Sequence, residues 1–303
     1  MKIIFGVDIG GTEIKIGKFN GIELIEKYSI KTDTSDKGNH IIEDACLFIK
    51  DHLGEDEIIG IGFGVPGPVR NGIVLSAPNI GWISLNVEEE VHKYFPGIKV
   101  TVGNDANMAA LGEKACGGAN DYESFVLVTL GTGIGGGVIV EGMLIEGSFG
   151  GGGEIGHSCA ESNGRLCTCG LRGCIERYAS ATGIVETANI LRKDRETKLN
   201  EVEVTAKAVF DYAKQNDPVA VEVVDYSLDK LAMVLSQVAT VINPEAFVIG
   251  GGVSKAGQYL IDILDKKFMS YAFPPQKNTK FVLAKLGNDA GIYGCAYAIN
   301  KVL

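Results

Sequence analysis

Residues 125–140, FVLVTLGTGIGGGVIV, decide the fold, because they admit two incompatible readings. Residues 131–136 match G-x-G-x-x-G, the dinucleotide-binding turn, which requires a helix opening at its third glycine. The chain instead runs on through Val138, Ile139 and Val140, β-branched residues that favour a strand. The dinucleotide reading is thereby excluded, and no G-x-x-x-x-G-K-[ST] stretch offers a P-loop. What remains is strand, glycine turn, strand.

The same unit opens the chain as KIIFGVDIGGTEIKIGKFN, residues 2–20. Superposing Val7-Asp8-Ile9-Gly10-Gly11-Thr12 on Val128-Thr129-Leu130-Gly131-Thr132-Gly133 gives one supersecondary unit used twice, the footprint of two similar domains. Between the copies, 40–53 predicts an apolar helix and 58–67 a strand, and Asn104-Asp105 followed by Gly117-Gly118 punctuate another helix. Val224, Leu228, Leu231, Leu235, Val238 and Ile242 line one face of a long helix that Asn243-Pro244 ends. Ala246–Val253 predicts a buried strand running into glycines, with a helix from Ser254. Strands alternating with helices place the chain in the α/β class. We expect a small domain of residues 1–117 plus a C-terminal helix at about 289–303, and a larger domain of residues 118–288. A tight hinge is expected near Gly117–Asn120.

Turns without side chains let backbone N–H groups approach a phosphate and permit positive φ. Gly10, Gly11, Gly131, Gly133 and Gly135 offer this, with hydroxyls from Thr12 and Thr132. Asp8, just before the first turn, suits a Mg²⁺-bound water. Either turn alone is equally a plain hairpin. Two together, with Gly250, Gly251 and Gly252 at a helix start, favour nucleotide phosphates.

A net charge of −10 disfavours nucleic acid and anionic membranes, so phosphates must be held locally. The start is too short of apolar residues for a signal peptide, and window 231–253 is broken by Gln237, Asn243, Pro244 and Glu245. These features predict a cytoplasmic protein. Of seven cysteines, Cys46, Cys116 and Cys295 read as separate buried thiols. The other four crowd into GHSCAESNGRLCTCGLRGCIER, residues 156–177. His157, Cys167, Cys169 and Cys174 form H-x9-C-x-C-x4-C, a saturated tetrahedral Zn²⁺ set with no open position, hence structural. Cys159 is expected to be a bystander. Asp105 reads either as an acceptor for a hydroxyl proton or as a helix cap.

The stretches DIGGTEIKIG (8–17), NDANMAALGE (104–113), LGTGIGGG (130–137), GGEIGH (152–157) and CTCGLRGCIE (167–176) stand in the order and spacing of the ROK sugar kinases and repressors. The chain resembles that family over roughly residues 4–297, and within it the bacterial glucokinases. The resemblance implies a two-domain actin-like, hexokinase-like ATPase fold with ribonuclease H-like domains around a central cleft. It implies ATP, Mg²⁺ and structural Zn²⁺, and phosphorylation of glucose at its 6-hydroxyl. It makes Asp105 the catalytic base and Asn79, Asn104, Asp105, Glu154, His157 and Glu176 the sugar-binding residues. Gly64 and Gly67, flanking Pro66, fit a backbone passing close to the sugar or an ordinary turn. Gly152 departs from the Ala of many members, which predicts a looser loop. No DNA-binding module is expected ahead of the first strand, and a homodimer or homotetramer is the family's tendency. Kinases of N-acetylmannosamine, N-acetylglucosamine, mannose or allose share these motifs. A non-catalytic sugar sensor would be expected to lack Asp105 or the phosphate glycines.

Overall fold

Alternation along the first strand sets the layers of the first sheet. In β1 (Lys2–Ile9) the odd residues Ile3, Phe5, Val7 and Ile9 enter one core. Ile4 enters a smaller cluster with Ile292, Ala296 and Ile299 of the C-terminal helix. Period-two alternation puts Gly6 and Asp8 on the same face as Ile4. The computed structural model describes residues 1–303 and divides into two units, 1–121 with 144–152 and 286–303, and 122–143 with 153–285.

In the first unit β1 is followed by β2 (Glu13–Asn20), β3 (Glu23–Lys31), α1 (Ile41–His52) and β4 (Glu57–Val65). Then come β5 (Val69–Arg70), β6 (Ile73–Ala77), β7 (Trp82–Asn86), α2 (Val87–His92), β8 (Lys99–Asn104) and α3 (Asp105–Cys116). The main sheet has order β3-β2-β1-β4-β8, with β1, β4 and β8 parallel. Glycines make its second face smooth. A Cβ on Gly6 would lie 2.2 Å from Ile292 O, and one on Gly62 2.1 Å from Cys295 O. The C-terminal helix can lie against the strands only because those positions are bare. In β4, Gly60, Gly62 and Gly64 alternate with Ile61 and Phe63, so glycines line the helix side and apolar residues the core.

In the second unit follow β9 (Phe125–Leu130), β10 (Ile134–Val140), β11 (Met143–Leu144), α4 (Glu176–Ala179), α5 (Ala181–Leu191), α6 (Ala206–Lys214), α7 (Pro218–Ile242), β12 (Ala246–Gly250), α8 (Gln258–Tyr271) and β13 (Lys280–Leu283). The last helix, α9 (Ala290–Asn300), returns to the first unit. The second sheet has order β11-β10-β9-β12-β13, strand for strand the order of the first. The long helix starts six residues before the stripe read from sequence, already burying Val219, Ala220 and Val223, because the Asp217 carboxylate caps it, accepting from Val219 N and Ala220 N at 3.1 and 2.9 Å. Such a cap is worth about 1 kcal/mol. Asn243, left-handed at φ 49°, ends the helix. Leu228, Leu231 and Leu235 are fully buried, each contributing roughly 1.5–3 kcal/mol.

Several sequence expectations change. The small sheet β5-β6-β7 was not anticipated. Residues 144–152, placed by sequence in the second domain, belong to the first unit, where Gly150 presses on Val69 and Arg70 lies 5.9 Å over the Phe149 ring. Gly152 does not loosen its loop: its N–H donates to Glu146 O at 2.8 Å, and a Cβ there would lie 2.3 Å from Ile145 O. Cys46 and Cys295 are buried, but Cys116 is exposed at the end of α3. Glu113, fully buried, ties two backbone segments to α3, with Oε2 accepting from Gly118 N at 2.6 Å and Oε1 from Leu286 N at 2.8 Å. No helix is long and apolar enough to cross a membrane.

Candidate active site

In the first unit the site is built where β1, β4 and β8 end. Asn104, the last residue of β8, is also the cap of α3, because its Oδ1 accepts from Ala106 N at 3.0 Å and Asn107 N at 3.2 Å. Its Nδ2 donates to Gly67 O at 3.1 Å. A carboxamide has two N–H donors, so one is left for a ligand. Asp105 is therefore not the capping residue. It stands exposed in the first helical turn, and its Oδ1 accepts from Ala106 N at 2.8 Å.

Asp8 pairs across the sheet with Lys15 on one side and Gly64 on the other. Burial, and next the Asp105 carboxylate, push its carboxyl up from the usual 3.8 to about 6. Two bare positions make room for it. A Cβ on Gly291 would lie 2.4 Å from Asp8 Oδ2, and one on Gly64 3.4 Å from Oδ1. Gly291, at the start of α9, was not singled out from sequence; the small-residue spacing Gly291, Gly294, Cys295 was the only signal of a helix in close contact. Gly67 has φ 83°, and a Cβ there would lie 2.1 Å from Ser76 O, so only glycine fits.

The Gly10-Gly11-Thr12 turn is exposed, closed by Gly10 N donating to Glu13 O at 2.9 Å and anchored by Thr32 Oγ1 donating to Gly10 O at 2.7 Å. Asn79, exposed in the β6–β7 connection, brings Nδ2 to 3.8 Å from the place of a Gly11 Cβ. Thr32 carried no sequence signal.

In the second unit, Gly131 N donates to Gly133 O at 3.0 Å, Ala181 N to Gly131 O at 2.8 Å and Thr182 Oγ1 to Thr132 O at 2.6 Å, so α5 holds the turn. Gly135 follows in β10, opposite Thr129. Positive φ is not what these glycines supply: none of Gly10, Gly11, Gly131, Gly133 or Gly135 adopts it. Their use is bareness. Gly251 does require glycine, with φ 80° and a Cβ position 2.6 Å from Leu130 O, while Gly252 faces open space. The expected helix at Ser254 is a 3₁₀ segment, Gly252–Ala256, and α8 begins only after Gly257. A pocket of about 120 Å³ opens beside Gly252, floored by Phe210 and Val253 and edged by Lys207, Asp211 and Lys255.

The sulfur-rich loop folds into two nested pairings, Cys159 with Cys174 and Leu166 with Arg172. Gly173, at φ 83° and jammed against Glu161 O, allows the second crossing. The ligand atoms of His157, Cys167, Cys169 and Cys174 all lie within 4.8 Å of one another. Cys169 Sγ and Cys174 Sγ are 3.7 Å apart, and Cys167 Sγ and His157 Nδ1 also 3.7 Å. A tetrahedron with Zn–S bonds near 2.3 Å has sulfur–sulfur edges of about 3.8 Å, so the set fits a tetrahedral thiophilic cation. Burial pushes the Cys174 thiol up to about 12 and raises Cys167, while the Leu171 N–H lowers Cys169. Glu176 links this knuckle to the glycine turn. Its Oε1 accepts from Cys167 Sγ at 3.0 Å, and its Oε2 lies 2.7 Å from the place of a Gly133 Cβ. On the other side, His157 Nε2 is 4.0 Å from Glu154 Oε2.

The paired sheets, bare turns and Cys₃His knuckle converge with the comparisons. The ROK family model matches residues 4–302. The chain belongs to the ROK family. It is 38% identical to a glucokinase of Halalkalibacterium halodurans, covering 98% of this chain and 94% of that one. It is 36% identical to a glucokinase of Thermotoga maritima, over 99% and 98%. Among solved structures, a ROK family glucokinase from Streptomyces griseus in complex with glucose and AMPPNP is similar at 31% identity and TM-score 0.79, covering 97% of this chain and 98% of that one. The fold is the actin-like ATPase fold of ROK kinases.

Proposed function

We propose that this ROK chain is an ATP-dependent glucokinase that moves the γ-phosphoryl of ATP to the 6-hydroxyl of glucose. The observation that carries the reading is Asp105: its capping role is taken by Asn104, so an exposed carboxylate stands at the start of α3, beside a second acid. Full-length similarity to glucokinases supports the choice of acceptor.

In phosphoryl transfer the protein mainly positions groups and stabilises charge. The Asp105 carboxylate orients the 6-hydroxyl and takes its proton late in a loose transition state. Asp8 would accept a hydrogen bond from a water of the Mg²⁺ that accompanies ATP, and that positive charge would favour its ionised form. Backbone N–H groups at Gly10–Thr12 and Gly131–Gly133 hold phosphate oxygens, and the Gly251-Gly252 turn with its pocket takes the nucleoside end. Asn79, the remaining Asn104 donor, Glu154, His157 and Glu176 bind hexose hydroxyls, with Gly64 and Gly67 shaping the backbone beneath them. His157, Cys167, Cys169 and Cys174 would hold structural zinc, which would fix the His157 ring and, through Cys167, the Glu176 carboxylate. Nδ1 of His157 faces the sulfurs, leaving Nε2 for substrate. We also propose a cytoplasmic enzyme acting as a homodimer or homotetramer.

A coupled assay of ADP release over glucose, mannose, allose and the N-acetylhexosamines tests the reading. The highest kcat/KM should belong to glucose. An N-acetylhexosamine used better than glucose would overturn the glucokinase assignment while leaving the kinase in place. ATP-independent inertness on every sugar would overturn both.

A further inference from the structure

Cys159 has no part in the machinery above, yet it is placed where an oxidant can use it. The Cys159–Cys174 pairing is bracketed by Ala160 N donating to Gly173 O at 2.8 Å and Ile175 N to Ser158 O at 2.9 Å. Bonds running between the flanking residues, with none between the pair itself, mark a non-hydrogen-bonded antiparallel site. There, facing Cα atoms stand about 4.5 Å apart and both side chains project from the same face. Disulfides span Cα separations of about 4.4–6.8 Å, a range that includes the separation typical of this register. The two thiols differ in access: Cys159 is exposed and Cys174 is 1% exposed. Cys174 Sγ also lies 3.7 Å from Cys169 Sγ inside the ligand set, whereas Cys159 is outside that set.

We propose that Cys159 is an oxidation site for hydroperoxides, and that Cys174 resolves it into a cross-strand disulfide that takes one sulfur away from the metal set. The Cys159 thiolate attacks the terminal peroxide oxygen. An S–O bond forms, the O–O bond breaks, and an alcohol (water, from hydrogen peroxide) departs with a proton from solvent. The Cys174 thiolate then attacks the Cys159 sulfur, forming S–S and breaking S–O, and the oxygen leaves as water with a second proton. Two sulfurs lose one electron each, and the peroxide gains both. His157, Cys167 and Cys169 are left as three ligands, and Glu176, held by Cys167 Sγ, then rests on a depleted site. The consequence for the metal rests on the zinc reading above.

Zinc-loaded protein is treated with hydrogen peroxide beside Cys159→Ser and Cys159→Ala. Zinc release is followed with a chromogenic chelator, and cross-links are mapped by mass spectrometry of non-reduced peptides. The wild-type chain should show the Cys159–Cys174 cross-link in step with zinc loss, reversed by a dithiol and added zinc. Both variants should keep basal activity and retain zinc at the same peroxide dose. Cys159 found unlinked after zinc has left, or variants that lose zinc as fast as the wild type, would overturn the proposal. A chain that holds no zinc as purified removes the zinc reading, and the cross-link map then decides the oxidation site alone.

Discussion

The two glycine turns occupy the same place in the same strand order, yet they are equipped differently. In the first unit the residue before the turn's last apolar position is Asp8, facing Gly64 on the parallel neighbour. In the second it is Thr129, facing Gly250 on β12. The space beside Gly64 receives a carboxylate, while the space beside Gly250 is closed by Ala284, Leu127 and Thr129. The first turn is anchored by Thr32, through its hydroxyl on Gly10 O and its N–H on Thr12 O, and the second by the start of α5, with Glu176 of the knuckle beside Gly133. Topology supplies the bare turn twice. In the proposed reading the acids for metal and proton come once, in the first unit, while the second unit adds Glu154, His157 and Glu176 to the sugar ligands.

The largest test of that asymmetry is Asp105→Asn. We expect kcat to fall by about a hundred- to ten-thousand-fold, the range for loss of a general base, with glucose and ATP affinities nearly kept. Steady-state kinetics with calorimetric binding checks it, and near-normal kcat would remove the proton-acceptor role. Next comes the knuckle: chelation of zinc, or Cys169→Ser, should raise the glucose KM roughly ten- to a hundred-fold and lower the thermal midpoint. The same treatment should weaken MgATP less than glucose, because the first turn owes nothing to the sulfurs while the second has Glu176 beside Gly133.

Asp8 gives a test in pH. The folded chain keeps its proton up to about 6, while an unfolded Asp releases it near 3.8. Between those values the native state binds more protons, so stability falls as pH rises through the interval and stays lower above it. The rise corresponds to on the order of 3 kcal/mol. Asp8→Asn should therefore raise the ligand-free melting temperature at pH 7.5 relative to wild type and leave it little changed at pH 4, while MgATP use is lost. In the wild type, KM for MgATP should climb as pH drops below about 6, where Asp8 is protonated. A flat profile from pH 5 to 8 would contradict it. The smallest effect separates the turns themselves. Gly133→Ala puts a methyl 2.7 Å from Glu176 Oε2 and should raise the glucose KM, while Gly11→Ala meets only Asn79 Nδ2 at 3.8 Å and should be milder.

Local order in the sequence carried what local forces determine. Both strand–turn–strand units, the long helix with its Asn243-Pro244 stop, and the H-x9-C-x-C-x4-C spacing were legible because the residues involved lie within one short segment each. What was missed is set at long range. Nothing near Gly291 says that Asp8 lies against it, and nothing near Gly150 says that Val69 receives it. The choice between Asn104 and Asp105 as cap turned on side-chain rotation, not residue type, since both are good caps. One signal was readable and passed over: Gly60, Gly62 and Gly64 alternating with Ile61 and Phe63 mark a strand with one face left smooth for a helix.

That smooth face has a consequence for how the molecule is made. The glycines of β1 and β4 and Gly112 of α3 are all shaped to receive α9, which leaves the ribosome well after the strands it covers. The second unit is nearly continuous and can close while synthesis is under way, whereas the first waits with a bare groove until residues 286–303 emerge. Nascent chains halted before that point should bind chaperones through the amino-terminal portion, although it was translated first.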